Sequence, residues 1–361
     1  MPLVPSYIKK LKSYKPGKSI SEAQREFGIQ NFIKLASNEN PLGPSPKSLE
    51  AITKITPQIH RYPDATGFDL RKQLALKYNL QVENVILGAG SEGIMSTIMR
   101  TFLLNDDELI SSSNSFIGFK VLANASGRKV HWIPMKNNHY DLQEISNKIN
   151  DYTKIIYIAN PDNPMGTYVK KYEFDEFYKS VPERVLIILD EAYFEYAQYS
   201  DQYPNSMNYR YDNVITLRTF SKAYGLAGIR IGYGFAHESL IESLIKVKAP
   251  FEPSLLAQIA ASAALKDHLF LKKTIEINNK GLLYLKNEFI KQNIEFIPSS
   301  TNFITTIWPS EKIASQITKN LLKHGIIVRQ LNAFGSPNYI RISIGLKEEN
   351  IKLINNIKKV L

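Results

Sequence analysis

The chain has 361 residues, enough for a large core and a smaller companion unit, and 45 Lys and Arg against 34 Asp and Glu leave a net charge of +11. Its charges are scattered, with clusters no longer than Lys9-Lys10-Leu-Lys12 or Lys170-Lys171, which argues against a nucleic-acid footprint and leaves, at most, help in attracting anionic substrates. With no cysteine, six scattered histidines and no apolar run long enough for a membrane span or a secretory core, the composition argues against disulfides, metal sites and membrane insertion, and a soluble cytoplasmic protein is expected.

Residues 1–35, with Pro2, Pro5, Pro16 and Gly17, read as an extended arm with a short helix, directed toward another subunit. Leu70, Leu74 and Leu76 among charges predict a helix over 69–78, and Val85-Ile-Leu87 the first core strand. An apolar-rich helix follows over 91–104, then strands at Glu108-Leu-Ile110 and Lys129-Val-His-Trp-Ile133. Between the first strand and its helix, Gly88-Ala-Gly-Ser-Glu-Gly93 matches the G-x-G-x-x-G of dinucleotide sites. That reading needs an acid at the end of the second strand, whereas Asp106 and Asp107 stand before it. What survives is a loop whose backbone N–H groups approach a phosphate, assigned to Gly90, Ser91 and Glu92.

Three later runs each deliver a polar group at a strand end. Lys154-Ile-Ile-Tyr-Ile-Ala-Asn-Pro-Asp-Asn-Pro-Met-Gly166 stops in a Pro/Asn/Gly turn. Val185-Leu-Ile-Ile-Leu-Asp-Glu-Ala-Tyr193 stops at Asp190, placed where open α/β sheets bind ligands, with a phenol three residues on. There Asp190 suits the protonated nitrogen of a pyridine ring. In Thr216-Leu-Arg-Thr-Phe-Ser-Lys-Ala-Tyr-Gly-Leu-Ala-Gly-Ile-Arg230, Lys222 lies among small and hydroxyl residues, surroundings that lower an amine's pKa as a Schiff-base nucleophile requires. Taken alone, this segment also fits a strand and loop with one snorkelling lysine. After Gly234 the chain turns to amphipathic helices over 254–266 and on to 291. Short strands follow at Ile294-Glu-Phe-Ile297, Asn302-Phe-Ile-Thr-Thr-Ile307, Ile326-Ile-Val-Arg329 and Tyr339-Ile-Arg-Ile-Ser343. The class is α/β, with no internal repeat.

Ala36-Ser-Asn-Glu-Asn-Pro-Leu-Gly-Pro44, Arg61-Tyr-Pro-Asp64, Gly88 to Gly93, Asn160 to Gly166, Asp190-Glu-Ala-Tyr193, Ser221-Lys222, Arg230 and Tyr339 to Ser343 together form an ordered set. With it the chain resembles the fold-type I pyridoxal-phosphate aminotransferases and, among them, the histidinol-phosphate branch. The resemblance implies a large domain over 36–250 with a mostly parallel central sheet flanked by helices. It further implies a smaller α/β domain over 251–361, an N-terminal arm over 1–35, and a homodimer with shared active sites. Lys222 would carry pyridoxal 5'-phosphate and shuttle the proton, Asp190 would pair with the ring nitrogen, and Tyr193 and Asn163 would bond the ring's phenolic oxygen. Ser221, Arg230 and Thr219 would hold the phosphate, Tyr62 would reach it from the neighbouring subunit, and Phe116 would stack on the ring. Arg341 and Arg329 would grip the anionic end of the substrate, with Tyr14 and Asn40 nearby.

The implied reaction moves an amino group between glutamate and imidazole-acetol phosphate, giving 2-oxoglutarate and L-histidinol phosphate. Two departures keep alternatives open. Glu252 and Pro253, in Pro250-Phe-Glu-Pro-Ser254, stand where the branch carries Asn and Val, and Met165 replaces a threonine. An added carboxylate near the pocket would disfavour a phosphate, so an aromatic amino acid such as phenylalanine is an alternative substrate, and threonine-phosphate decarboxylation a further one. A non-catalytic regulator on the same fold would lack Lys222 or Asp190, and both are present.

Overall fold

Apolar runs bounded by turn residues become strands throughout the computed structural model, which describes residues 3–13, 17–208 and 212–360. After β1 (Ile33–Lys34), seven strands build the large sheet: β2 (Val85–Gly88), β3 (Glu108–Ser112), β4 (Lys129–Ile133), β5 (Thr153–Ala159), β6 (Leu186–Asp190), β7 (Val214–Thr219) and β8 (Gly232–Phe235). Their spatial order is β2-β8-β7-β6-β5-β3-β4. The pairs from β7 to β4 are parallel, while β8 runs antiparallel to both neighbours.

Successive residues of β5 and β6 go to opposite faces, as a period of two demands. Ile155, Tyr157 and Ile188 join Ile94, Met95, Ile98 and Phe119 of the helices Gly90–Phe102 and Ile117–Ala125 on one face. On the other, Ile156, Ile158, Ile187 and Leu189 meet Phe174 and Phe177 of the helix Lys171–Lys179. Burial on both faces is why these strands read as unbroken apolar runs. The shared direction of the parallel strands brings their carboxyl ends to one edge, where a crevice opens.

The C-terminal sheet uses β9 (Glu295–Ile297), β10 (Phe303–Ile307), β12 (Arg329–Leu331) and β13 (Ser336–Ser343) in the order β12-β13-β10-β9, all antiparallel. The single strand expected over 326–329 is two. β11 (Ile326–Ile327) pairs in parallel with β1, and the chain then crosses to a second partner as β12, because its two halves face different neighbours. The helices His268–Lys291, Glu311–Lys323 and Lys347–Val360 bury Leu285, Phe289, Ile317, Leu321, Leu353 and Ile357 against this sheet.

Two further expectations need correction. Among the described residues the arm holds two helices, not one. The second, Ile20–Phe27, starts at a capping box of Ser19 and Glu22, ends at Gly28 in the left-handed region, and buries Ala23 against Ile327 of its own chain. The helix Leu255–Leu265, placed by sequence in the C-terminal unit that begins at 251, instead belongs to the core of the large sheet. Its face of Ala257, Ala260, Ala261 and Ala264 packs with Leu70, Leu87 and Tyr233, since small side chains allow close approach. Among the described residues no helix is long and apolar enough to cross a membrane.

Candidate active site

At the carboxyl edge of the large sheet lies a cavity of about 200 Å³, with Ser91, Glu92, Phe116, Ala159, Pro161, Asn163, Asp190, Ala192, Tyr193, Thr219, Ser221, Lys222 and Arg230 in its wall. Ten residues singled out from the sequence as cofactor contacts thus meet in one place, although they span positions 91 to 230. The sheet brings them together: Asp190 ends β6, Thr219 ends β7, and Phe116 and Asn163 follow β3 and β5.

Asp190 is buried, and its Oδ2 accepts a 2.8 Å hydrogen bond from Tyr157. Its Oδ1 is buried with no hydrogen-bond partner. Burial raises the carboxyl to about 7, opposed by the Tyr157 bond and by the backbone N–H of Ala192. An anion-seeking proton on a ring nitrogen is what such an oxygen lacks. Lys222 is half-buried, with Nζ 3.4 Å from the Ser37 carbonyl. Burial, then repulsion from Arg341, lowers its amine to about 8, so a usable fraction is neutral near physiological pH. Tyr193 keeps its proton, because burial pushes its phenol up to about 12.

The phosphate loop is shaped by a close approach of backbones. Gly90, at φ +75°, lies against the Arg230 guanidinium, and a Cβ on Gly232 would sit 2.6 Å from Ser91 N. Neither position has room for a side chain. Arg230, itself at φ +59°, contacts Ser221 Oγ at 3.3 Å, the Ala227 carbonyl at 3.1 Å and Glu92 Oε2 at 3.4 Å. Thr219 Oγ1 accepts from Ser221 N at 3.1 Å, so its hydroxyl shapes the turn before the lysine.

The expected substrate residues divide. Arg341 is buried and donates to Asn163 Oδ1 and to the Ala36 carbonyl, the latter at 2.7 Å. Arg329 stands directly opposite Arg341 across β12 and β13, half-buried. Asn40 does not face the cavity: its Nδ2 bonds the Ala223 carbonyl at 2.9 Å and Thr274 Oγ1 at 3.1 Å, and its Oδ1 takes Leu42 N at 3.0 Å. With its amide engaged on both sides, it braces the turn beside Lys222. Tyr62 is 80% exposed and stacks on Phe251 at 4.3 Å, outside the wall. Tyr14 lies outside the described residues.

Glu252 also departs from expectation. Its Oε1 accepts from Ala89 N at 2.8 Å, at the start of the helix Gly90–Phe102, where a negative charge suits the helix end. The carboxylate thus lies beside the loop assigned to the cofactor's phosphate, outside the wall of the cavity.

Sequence reasoning passed over three groups. Tyr157 reads as one more core residue of β5, and only the register that sets Ala159 beside Asp190 brings its hydroxyl there. Asp162, buried in the turn before Asn163, accepts from Ser115 and from Met165 N at 3.0 Å. Asn38, inside the motif from Ala36 to Pro44, carries no signal of its own in sequence, yet its Nδ2 donates to Tyr193 Oη at 2.9 Å.

The aminotransferase class I and II family model matches residues 30–356. The chain belongs to this family. Histidinol-phosphate aminotransferase 2 of Carboxydothermus hydrogenoformans is 39% identical over 99% of both chains. Histidinol-phosphate aminotransferase of Moorella thermoacetica is also 39% identical, over 98% of this chain and 92% of its own. Among solved structures, the Sinorhizobium meliloti histidinol-phosphate aminotransferase in complex with pyridoxal-5'-phosphate superposes with a TM-score of 0.92 at 27% identity, covering 100% of this chain and 98% of that one. The aspartate aminotransferase of Thermus thermophilus with maleate, at 18% identity and a TM-score of 0.84 over 100% of both chains, shares the fold. The cavity of this aminotransferase fits pyridoxal phosphate on its own chemistry: an orphaned buried carboxylate oxygen, an amine of lowered pKa and a glycine-lined helix start beside an arginine.

Proposed function

We propose that the chain is a pyridoxal-phosphate-dependent histidinol-phosphate aminotransferase, moving an amino group between L-histidinol phosphate and 2-oxoglutarate. The observation that carries this reading is the pairing, in one cavity, of Lys222 with the partnerless Oδ1 of Asp190. The histidinol-phosphate names of full-length relatives support the substrate class.

Bound pyridoxal phosphate supplies an electron sink that makes the α-hydrogen of an amine substrate acidic. Asp190 Oδ1 holds the proton of the ring nitrogen. Lys222 Nζ takes the proton from the substrate's α-carbon and returns it, a task suited to an amine near pH 8. Asn163 has its Oδ1 committed to Arg341, so its Nδ2 is left to donate to the ring's phenolic oxygen, alongside the Tyr193 hydroxyl. Phe116 would stack on the ring, and Ser221, Arg230 and the N–H groups from Gly90 to Glu92 would take the cofactor's phosphate. Arg341 grips the substrate's anion. Because a guanidinium fits carboxylate and phosphate alike, one side chain serves both glutamate and the phosphorylated partner.

Turnover of the cofactor-loaded chain with 2-oxoglutarate is expected to favour L-histidinol phosphate over L-phenylalanine by about tenfold or more in kcat/KM, since a phosphate offers Arg341 more charge and more acceptor oxygens than the α-carboxylate by which phenylalanine would be held. A preference for phenylalanine would reassign the substrate. The active form is a homodimer in which Tyr62, exposed beside Phe251, meets the other subunit's phosphate site. Sedimentation giving a monomer of full activity would refute that assembly.

A further inference from the structure

We propose that Asn38 is a positioning residue that points the hydroxyl hydrogen of Tyr193 into the cavity and ties that hydroxyl to the strand carrying Arg341. The inference rests on the function proposed above.

Asn38 is 1% exposed and sits at φ +56°, a left-handed conformation that asparagine tolerates better than most residues. Its backbone N–H donates to Ser343 Oγ at 2.8 Å. That hydroxyl donates its own hydrogen to Asn38 Oδ1 at 3.0 Å. The exchange is met by an amide whose carbonyl turns to Ser343 and whose Nδ2 turns to Tyr193 Oη at 2.9 Å. An NH₂ group only donates. Tyr193 Oη therefore accepts from Asn38, and the phenolic hydrogen has to lie in another direction. Tyr193 forms part of the cavity wall, so a ring oxygen bound there would find that hydrogen unspent.

The same asparagine is anchored twice to one end of the C-terminal sheet. Its carbonyl accepts from Asn302 Nδ2 at 2.9 Å, next to the start of β10, while Ser343 ends β13, and Phe303 and Ser343 are register partners. Arg341 lies two residues before Ser343 and bonds the carbonyl of Ala36, two residues before Asn38. The anion grip and the hydroxyl's direction are thus set by one strap of chain.

Asn38→Asp is nearly isosteric and tolerates the backbone angle, but its carboxylate accepts instead of donating, so the phenol turns its hydrogen toward position 38. With one donor to the cofactor's phenolic oxygen gone, its link to Lys222 becomes easier to protonate. The pH midpoint of the holoenzyme's visible absorbance is expected to rise by about one pH unit, in the direction of Tyr193→Phe. In a Tyr193→Phe background most of that shift disappears. A shift of equal size there would assign the effect to added charge and overturn the proposal, as would a wild-type midpoint in Asn38→Asp. Ser343→Ala, which adds no charge, releases the amide's orientation and is expected to raise the midpoint by a smaller amount, again only while Tyr193 is present. If Asn38→Asp fails to fold, an unchanged midpoint in Ser343→Ala overturns the proposal by itself. Titrating pyridoxal phosphate into the cofactor-free chain separates the two levels. A wild-type chain that takes up none, with no visible band, overturns the proposed function rather than the role of Asn38 within it.

Discussion

Lys222→Ala is expected to lower turnover by at least about a thousandfold, because it removes both the covalent attachment and the group that moves the substrate's α-proton. The isovolumetric Lys222→Met carries a second, opposite expectation. The native amine sits near 8 instead of 10.5, so between those pH values the unfolded chain holds more protons and stability rises with pH. Below pH 8 the whole penalty of burying the charge is present. Cofactor-free Lys222→Met should therefore be more stable than wild type at pH 7, on the order of 2 kcal/mol, with the difference fading above pH 10. Chemical denaturation at the two pH values reads this directly, and retained turnover in the alanine variant would sink the assignment of the lysine.

Asp190→Asn is expected to weaken pyridoxal phosphate binding by roughly ten- to a hundredfold, the loss of a charge-assisted hydrogen bond in a dry site, and to lower turnover at least as much. Stability again moves the other way. The carboxyl is raised from 3.8 to about 7, so the folded chain binds more protons across that window and loses stability as pH climbs through it. Above pH 7 the wild-type cofactor-free chain bears the full cost, which asparagine avoids. The variant should unfold at a higher temperature at pH 8 and at nearly the wild-type temperature at pH 4. Equal cofactor affinity in the two proteins would show that Oδ1 has some other purpose. Both residues then illustrate a site held at the expense of stability, which cofactor binding offsets.

Much of the wall was legible because each contact sits at a chain landmark. A strand that stops in Asp190, a turn rich in Pro and Asn that holds Asn163, and a glycine loop before a helix are all local features, and local features survive in a one-dimensional record. Arg341 was singled out only through the family resemblance, because an arginine within a short alternating strand reads equally as a surface ion-pair partner. Asn40 shows the limit: an asparagine in a recognisable motif, its amide is consumed by Ala223 and Thr274, partners 183 and 234 residues away. Glu252 shows it again, since only the fold could turn that carboxylate onto Ala89 N. Likewise the chain between Ile326 and Leu331 reads as one strand, and becomes two because β1 and β13 claim successive halves.

By itself the sequence determined the α/β class, the apolar strands around which the site is built, and which residue types end the central ones, because periodicity and turn chemistry act over a few neighbouring residues. Tertiary structure alone decided which hydrogen bonds those residues spend on the protein and which they keep for a ligand. Tyr157 takes one oxygen of Asp190 and leaves the other, Arg341 takes the carbonyl of Asn163 and leaves its amide, and Asn38 takes the lone pair of Tyr193 and leaves its hydrogen. Hydrogen bonds are directional and saturable, so a polar group's free valence depends on partners that are distant in sequence and adjacent only after folding.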